Sequence, residues 1–271
     1  MKFTKMQGLG NDYIYVNCYE ERVENPGELA KKISDRHFGV GSDGLVLICP
    51  SEKADFRMRM FNADGSEAEM CGNASRCVGK YVYERGMTGK TEISLETKAG
   101  IRGLRLKVRD GLAEEVTVDM GVPEMRPEKI PTLLEEIAPG RVEAGGREFE
   151  VWCVNMGNPH CVVFTKDADG VDVAKWGPEF ERHEMFPERV NTEFAQVMDR
   201  ENIRMRVWER GAGETMACGT GACATFVAAE MAGKCGDEVK IHLNGGVLKI
   251  RRESEHVVMT GPAEFVFEGC Y

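Results

Sequence analysis

The sequence predicts an α+β protein of two pseudo-symmetric halves, each a sheet wrapped around one central helix. Three observations carry this. The chain of 271 residues repeats itself at an offset of 147 (218 − 71): Cys71-Gly72 falls on Cys218-Gly219, 56–61 on 203–208, Glu67 on Glu214 and Gly10-Asn11 on Gly157-Asn158. A repeat of this length is a duplicated domain, because solenoid units are much shorter. Each Cys-Gly pair opens an apolar helical run, and the second run, 222–232, is apolar on nearly every side, so it should be buried on nearly every side. The remaining apolar segments are short, often alternate with a period of two, and are bounded by Gly, Asn and Asp, which is the pattern of strands and turns.

Taken in order, 2–7 and 12–17 read as a hairpin around Gly8-Leu9-Gly10-Asn11. Pro26 opens a helix with Leu29, Ile33 and Phe38 on one face. The glycine-rich turn 36–44 has neither the spacing of a dinucleotide fingerprint nor the Lys-Ser/Thr of a phosphate loop. Strands follow at 45–49 and 56–61, the latter ended by the turn 62–66. The first Cys-Gly helix places Ala74, Cys77, Val78, Tyr81 and Val82 on one face and stops at Gly86. Strands at 91–97, 101–108 and 115–119 precede a break at Gly121-Val122-Pro123, and a loop-rich stretch to about Gly146 reads as the crossover.

The second half repeats the order, with strands at 149–154 and 161–165, a short helical region within 171–183, a turn at 187–191, and strands at 194–198 and 203–208. After its Cys-Gly helix come strands at 239–243, 247–252 and 257–259. Residues 260–264 resemble 120–124, so the last strand should cross back into the first half. The expected domains are therefore 1–119, joined by about 263–271, and 120–262.

The net charge of −10, with both signs mixed along the chain, argues against a nucleic-acid partner. No apolar run is long enough to span a membrane, and residues 1–12 lack a signal-peptide pattern, so the chain reads as cytoplasmic. None of the ten cysteines forms Cys-x-x-Cys and no histidine has finger-like spacing, which argues against structural zinc. Cys77, Cys161 and Cys223 sit within apolar runs and read as core.

Cys71 and Cys218 differ, because each stands just ahead of a helix start. There the exposed N–H groups and the helix dipole favour a thiolate and offer a cradle for a carboxylate. Two such thiols on opposite faces of one carbon can take a proton from one side and return one on the other, inverting a stereocentre without a cofactor or metal. His160, after Asn158-Pro159, and Glu209 are the titratable neighbours that can set which sulfur starts ionised. Arg210, beside Glu209, suits a carboxylate clamp. A cysteine hydrolase or a redox protein leaves the matched second cysteine without a role.

The motifs Gly8-Leu9-Gly10-Asn11-Asp12, Phe61-Asn62-Ala63-Asp64-Gly65-Ser66, Cys71-Gly72-Asn73, Met156-Gly157-Asn158-Pro159-His160, Pro187-Glu188-Arg189-Val190-Asn191 and Glu209-Arg210-Gly211-Ala212-Gly213-Glu214, with Ala217-Cys218-Gly219-Thr220-Gly221, resemble those of the diaminopimelate epimerases, in order along nearly the whole chain. The resemblance implies two β-barrel-like domains, each around a central helix, with the site in the cleft. It implies cofactor-independent interconversion of LL- and meso-2,6-diaminopimelate in lysine and peptidoglycan precursor synthesis, by a homodimer. Cys71 and Cys218 are then the acid/base thiols, tuned by His160 and Glu209. Gly72, Asn73, Gly219 and Thr220 hold the reacting-end carboxylate, and Asn11, Asn62, Asn158, Asn191, Glu209 and Arg210 hold the rest of the substrate. Many members carry Gln at the place of Gly44, where it contacts substrate; here that contact is lost or made by backbone.

Overall fold

The computed structural model describes residues 1–271 as two compact units, Met1–Asp119 with Thr260–Tyr271, and Met120–Met259. In the first unit the elements are β1 (Lys2–Gly8), β2 (Asn11–Asn17), α1 (Pro26–Ser34), β3 (Gly44–Cys49), β4 (Phe56–Asn62), β5 (Glu67–Ala68), α2 (Gly72–Glu84), β6 (Glu92–Thr97), β7 (Gly100–Arg109) and β8 (Leu112–Gly121). The second unit contributes β9 (Gly140–Ala144), β10 (Arg147–Asn155), β11 (Pro159–Phe164), α3 (Val173–Glu181), β12 (Asn191–Val197), β13 (Asn202–Glu209), β14 (Gly213–Glu214), α4 (Gly219–Met231), β15 (Glu238–Leu243), β16 (Gly246–Glu253) and β17 (His256–Gly261). β18 (Glu264–Cys270) completes the first unit.

The two units share one strand grammar. In the first, β1–β2 is antiparallel, β2–β3 parallel, β3–β4 antiparallel, β4–β6 parallel and β6–β7 antiparallel. In the second, β10–β11, β11–β12, β12–β13, β13–β15 and β15–β16 repeat that order of senses. The helices obey the sequence offset residue by residue: α1 maps onto α3 (173 − 26 = 147) and α2 onto α4 (219 − 72 = 147). Each unit also has a strand antiparallel to its first repeat strand. In the second it is β9 against β10, and in the first it is β18 against β1, supplied from the far end of the chain. The barrel-like wrapping takes the form of an open strand series, not a closed barrel.

The chain forms this sheet for local reasons. Leu9 and Gly10 both adopt positive φ (59° and 82°) between β1 and β2, the left-handed pair that a tight hairpin turn requires. β3 is buried along almost its whole length, matching its continuous apolar run. α4 buries every residue from Gly221 to Ala229 and packs on β10, β11, β12, β13, β15 and β16. Within Gly221–Ala229 the bulky side chain is Phe226, which is fully buried and contributes roughly 1.5–3 kcal/mol relative to an exposed ring. α2 packs on β1 and β7. A side chain at its Gly79 would press on Val116 at 3.2 Å and Leu104 at 3.3 Å, so glycine sets how closely the helix approaches the strands.

Two sequence expectations fail. Phe38 does not extend the face of α1. Asp35 Oδ1 accepts the backbone N–H groups of His37 (2.7 Å) and Phe38 (2.8 Å), which ends the helix at Ser34 and leaves the Phe38 ring 92% exposed. The stretch expected to be loop up to Gly146 contains β9, whose Arg141 and Glu143 alternate with buried Val142 and Ala144.

Candidate active site

Each Cys-Gly pair is a helix N-cap. Cys71 has an extended backbone (φ −138°, ψ 121°), and its sulfur accepts the Ala74 N–H at 3.5 Å. Cys218 has nearly the same backbone (φ −119°, ψ 112°), and its sulfur accepts the Gly221 N–H at 3.3 Å. A cap sulfur in place of the usual Ser or Asp oxygen puts a soft, ionisable atom at the positive end of the helix dipole. Gly72 and Asn73 open α2, and Gly219 and Thr220 open α4. Their N–H groups belong to the first turn, which has no intrahelical acceptors.

Around Cys71 the structure gathers neutral amides. The Cys71 Sγ lies 3.6 Å from Asn11 Oδ1, and Asn73 Nδ2 donates to the same oxygen at 3.2 Å. Asn11 is held in that orientation from behind, because its Nδ2 donates to Asp43 Oδ2 at 2.8 Å. Asp43 in turn accepts Arg36 at 2.9 Å. Burial pushes the Asp43 carboxyl above its ordinary value, against the hydrogen bonds from the Asp12 N–H and Asn11. Asp12, next to Asn11, is half-buried, but Arg36 (2.9 Å) and Lys5 (2.7 Å) hold it below the usual carboxylate range. Asn73 accepts Arg76 Nη1 at 2.9 Å, so the start of α2 is braced from inside the fold. Asn62, at the end of β4, donates to Ser66 Oγ at 3.0 Å and stands in register with Gly44 of β3. A Cβ on Gly44 would lie 2.1 Å from Phe61 O, so this backbone has no room for a side chain at that position.

Around Cys218 the surroundings are charged and dry. Cys218 is 4% exposed, whereas Cys71 is half-buried. Burial pushes the Cys218 thiol well above its ordinary value, and the Glu209 and Glu193 carboxylates push it in the same direction. Glu209 is also pushed up by burial, while hydrogen bonds from the Thr215 hydroxyl and the Cys218 thiol, and the nearby His160, act the other way. Thr220 Oγ1 lies 3.5 Å from the Cys218 sulfur. His160, fully buried, sits with Nδ1 2.7 Å from Glu193 Oε1 and Nε2 2.9 Å from Asn158 Oδ1.

Asn191 pairs in register with His160 across the parallel β11–β12 ladder. It donates from Nδ2 to Pro159 O at 2.8 Å and accepts the Arg210 N–H at 2.9 Å. Arg210 donates from Nη1 to Glu188 O at 2.9 Å.

The residues singled out from sequence thus fall into two local constellations: Asn11, Cys71, Gly72 and Asn73 in one unit, and Asn158, His160, Glu209, Cys218, Gly219 and Thr220 in the other, with Asn191 and Arg210 joined beside the latter. Asn62 has no hydrogen bond to the first group among those described above. Sequence reasoning missed Asp43, Thr215 and Glu193. Asp43 and Thr215 lie in turn-like stretches where polar residues are ordinary. Glu193 did leave a signal: it is an acid inside a strand whose neighbours Thr192, Phe194 and Ala195 are all buried.

In fold the chain is similar to solved structures that include a racemase and an epimerase. It is similar to a probable proline racemase of Agrobacterium radiobacter (TM-score 0.72, 17% identity, covering 100% of this chain and 92% of that one). It is also similar to a hydroxyproline epimerase of Agrobacterium vitis (TM-score 0.71, 17% identity, covering 99% and 91%). At these identities the likeness is one of fold. The particular family comes from sequence. The diaminopimelate epimerase model matches residues 3–126 and 152–266. Diaminopimelate epimerases of Acetivibrio thermocellus (59% identity over 99% of this chain and 98% of the relative) and Methanococcus maripaludis (52% over 99% of each) align along essentially the full length. The chain belongs to the diaminopimelate epimerase family.

Proposed function

We propose that the chain interconverts the LL and meso forms of 2,6-diaminopimelate without a cofactor, with Cys71 and Cys218 as the two proton-transfer thiols. The observation that carries this reading is the pair of cysteine N-caps, one at the same position of each repeated unit. In one direction Glu209 takes the Cys218 proton as that sulfur removes the α-hydrogen. The enolate-like charge that develops on the carboxylate is stabilised by first-turn N–H groups at Gly72-Asn73 and Gly219-Thr220. Cys71 delivers its proton to the opposite face of the carbon. Solvent exchange then restores the Cys71 thiol and the Glu209 carboxylate. In the reverse direction Cys71 is the base and Cys218 the acid.

Specificity follows from the second amino-acid end of diaminopimelate. Asn11, Asn62, Asn158, Asn191 and Arg210 are the groups we assign to holding the rest of the substrate. A shorter amino acid leaves such polar groups unpaired, which penalises its binding. The setting we infer is the cytoplasm, as a homodimer supplying lysine and peptidoglycan precursors. No helix is long and apolar enough to cross a membrane.

The test is a side-by-side incubation with LL-diaminopimelate, L-proline and trans-4-hydroxy-L-proline, with products separated on a chiral phase. Conversion of the first alone is expected. Turnover of either proline compound with none of diaminopimelate overturns the assignment.

A further inference from the structure

A buried carboxylate beside Cys218 has no part in the chemistry above. Glu193, on β12, is fully buried. Its Oε1 lies 2.7 Å from His160 Nδ1, and its Oε2 has no hydrogen-bond partner in the protein. His160 is equally buried, and its other ring nitrogen faces Asn158 Oδ1 at 2.9 Å. Both partners of the ring are acceptors, a carboxylate oxygen and an amide oxygen. An imidazole satisfies two acceptors only by donating from both nitrogens, that is, as imidazolium. A buried carboxylate is costly unless it is paired, and the imidazolium is the pairing charge here.

The pair sits against the reactive sulfur. A Cβ built on Gly221 would lie 2.6 Å from Glu193 Oε1 and 3.2 Å from Cys218 Sγ, so carboxylate and thiol converge over the α-carbon of one residue in the first turn of α4. Gly221 is the residue whose N–H caps that sulfur. The fold itself does not need the dyad. At the offset of 147, Glu193 corresponds to Val46 (193 − 46) and His160 to Tyr13 (160 − 13), and both counterparts are buried in the first unit.

We propose that Glu193 is a positioning residue of the Cys218 centre, holding His160 with both ring nitrogens protonated so that a carboxylate–imidazolium pair stands beside the Glu209–Cys218 pair. This role rests on the proposed epimerisation. The charged and titratable groups that face Glu193 are His160 and Cys161 from β11, Glu209 from β13 and Cys218 from the cap of α4. Glu209 and Glu193 both act on the Cys218 thiol, and the His160 imidazolium is the counter-charge beside them. The His160 charge acts on Glu209 in the direction that favours its carboxylate. Glu209 is thereby kept as a carboxylate able to receive the Cys218 proton, and Glu193 itself touches neither substrate nor the moving proton.

The experiment uses ¹⁵N-labelled full-length protein and two readouts. In the unaltered protein the His160 ring nitrogens should both carry protons, the form that its two acceptor partners require. In Glu193→Gln, which keeps shape and one acceptor but removes the charge, that signature should disappear. Its kcat for diaminopimelate should fall about tenfold or more, with KM within about threefold. A singly protonated His160 in the unaltered protein, or an unchanged kcat in the variant, overturns the proposal. If the variant does not fold, the spectrum of the unaltered protein decides alone. If the unaltered protein does not turn over diaminopimelate, the substrate assignment fails, and the same spectrum still decides the dyad.

Discussion

Cys71 and Cys218 cap the same helix in two copies of one strand arrangement, with backbone angles that differ by less than about 20°, yet their surroundings are chemically opposite. Cys71 is half-buried and faces the amide oxygen of Asn11, which is itself held by Asp43. Cys218 is buried among Glu209, Glu193 and His160. At the repeat offset Asn62 stands for Glu209, Val46 for Glu193 and Tyr13 for His160, while Asn11 and Asn158 match. The duplication therefore preserved the helix-start cradle and changed the charge around it. A helix-start cradle repeated in each unit suits the binding of a carboxylate. Unequal proton affinities suit a pair in which one thiol begins protonated. The shared dipole would lower both thiols alike, so the difference has to come from burial and the two carboxylates, and both raise Cys218.

The comparison can be broken at several points. The largest effect belongs to the sulfurs themselves: Cys71→Ala and Cys218→Ala should each reduce full epimerisation by about 10³-fold or more, measured by conversion of LL-diaminopimelate, because one face of the carbon loses its acid/base group. An undiminished rate in either variant removes the two-thiol reading. Glu209→Gln should lower kcat about 100-fold, while Asn62→Ala, at the matching position of the other unit, should act mainly on KM; similar losses in kcat from both would mean the asymmetry has no kinetic role.

Alkylation separates the thiols without any substrate. The thiolate is the reacting species, and each unit of pKa changes its fraction about tenfold. Iodoacetamide near neutral pH should therefore label Cys71 at least tenfold faster than Cys218, read by peptide mass spectrometry, with Cys218 labelling rising steeply at alkaline pH. Equal rates contradict the burial argument.

The same shift predicts a pH dependence of stability. The Cys218 thiol is raised in the folded state, so its contribution is intact below the unfolded thiol value of about 8.5. Above that value the unfolded chain ionises first, and stability falls by up to about 1.4 kcal/mol per pH unit until the folded thiol also titrates. Denaturant titrations of Cys218→Ser should show a shallower slope than the parent, the remainder coming from Cys77, Cys161 and Cys235, which burial also raises. The smallest effect is expected at Asp43→Ala, which frees the Asn11 amide to turn: about 1 kcal/mol of stability and a few-fold loss in kcat/KM. A kcat/KM equal to that of the parent would show that Asn11 needs no orienting partner.

How much of this was legible in the sequence depended on whether a residue's role was local or tertiary. α2 and α4 were legible because their apolar faces and cysteine starts are contiguous in sequence, and the offset tied them together. The end of α1 was not, because the Asp35 turn that stops it competes with an apolar spacing that continues to Phe38. β9 was missed because its alternation is only five residues long and lies in a stretch rich in Pro and Gly. Glu193 and Asp43 were missed for a different reason. Their partners, His160 and Asn11, lie about 30 residues away in sequence on neighbouring strands, and only the parallel pairings β11–β12 and β2–β3 bring those strands together. Gly44 is a visible departure from the family motif, but its reason, the approach of Phe61 O, is a backbone contact that no motif displays.

The most direct test of the central claim is to incubate the protein with LL-diaminopimelate in D₂O and follow the α-carbons by NMR and mass spectrometry. Meso product carrying one solvent deuterium, at the inverted carbon, is expected, because the proton delivered by the second thiol comes from solvent-exchanged sulfur. Meso product that retains the original hydrogen throughout the reaction, or no conversion at all, would contradict it.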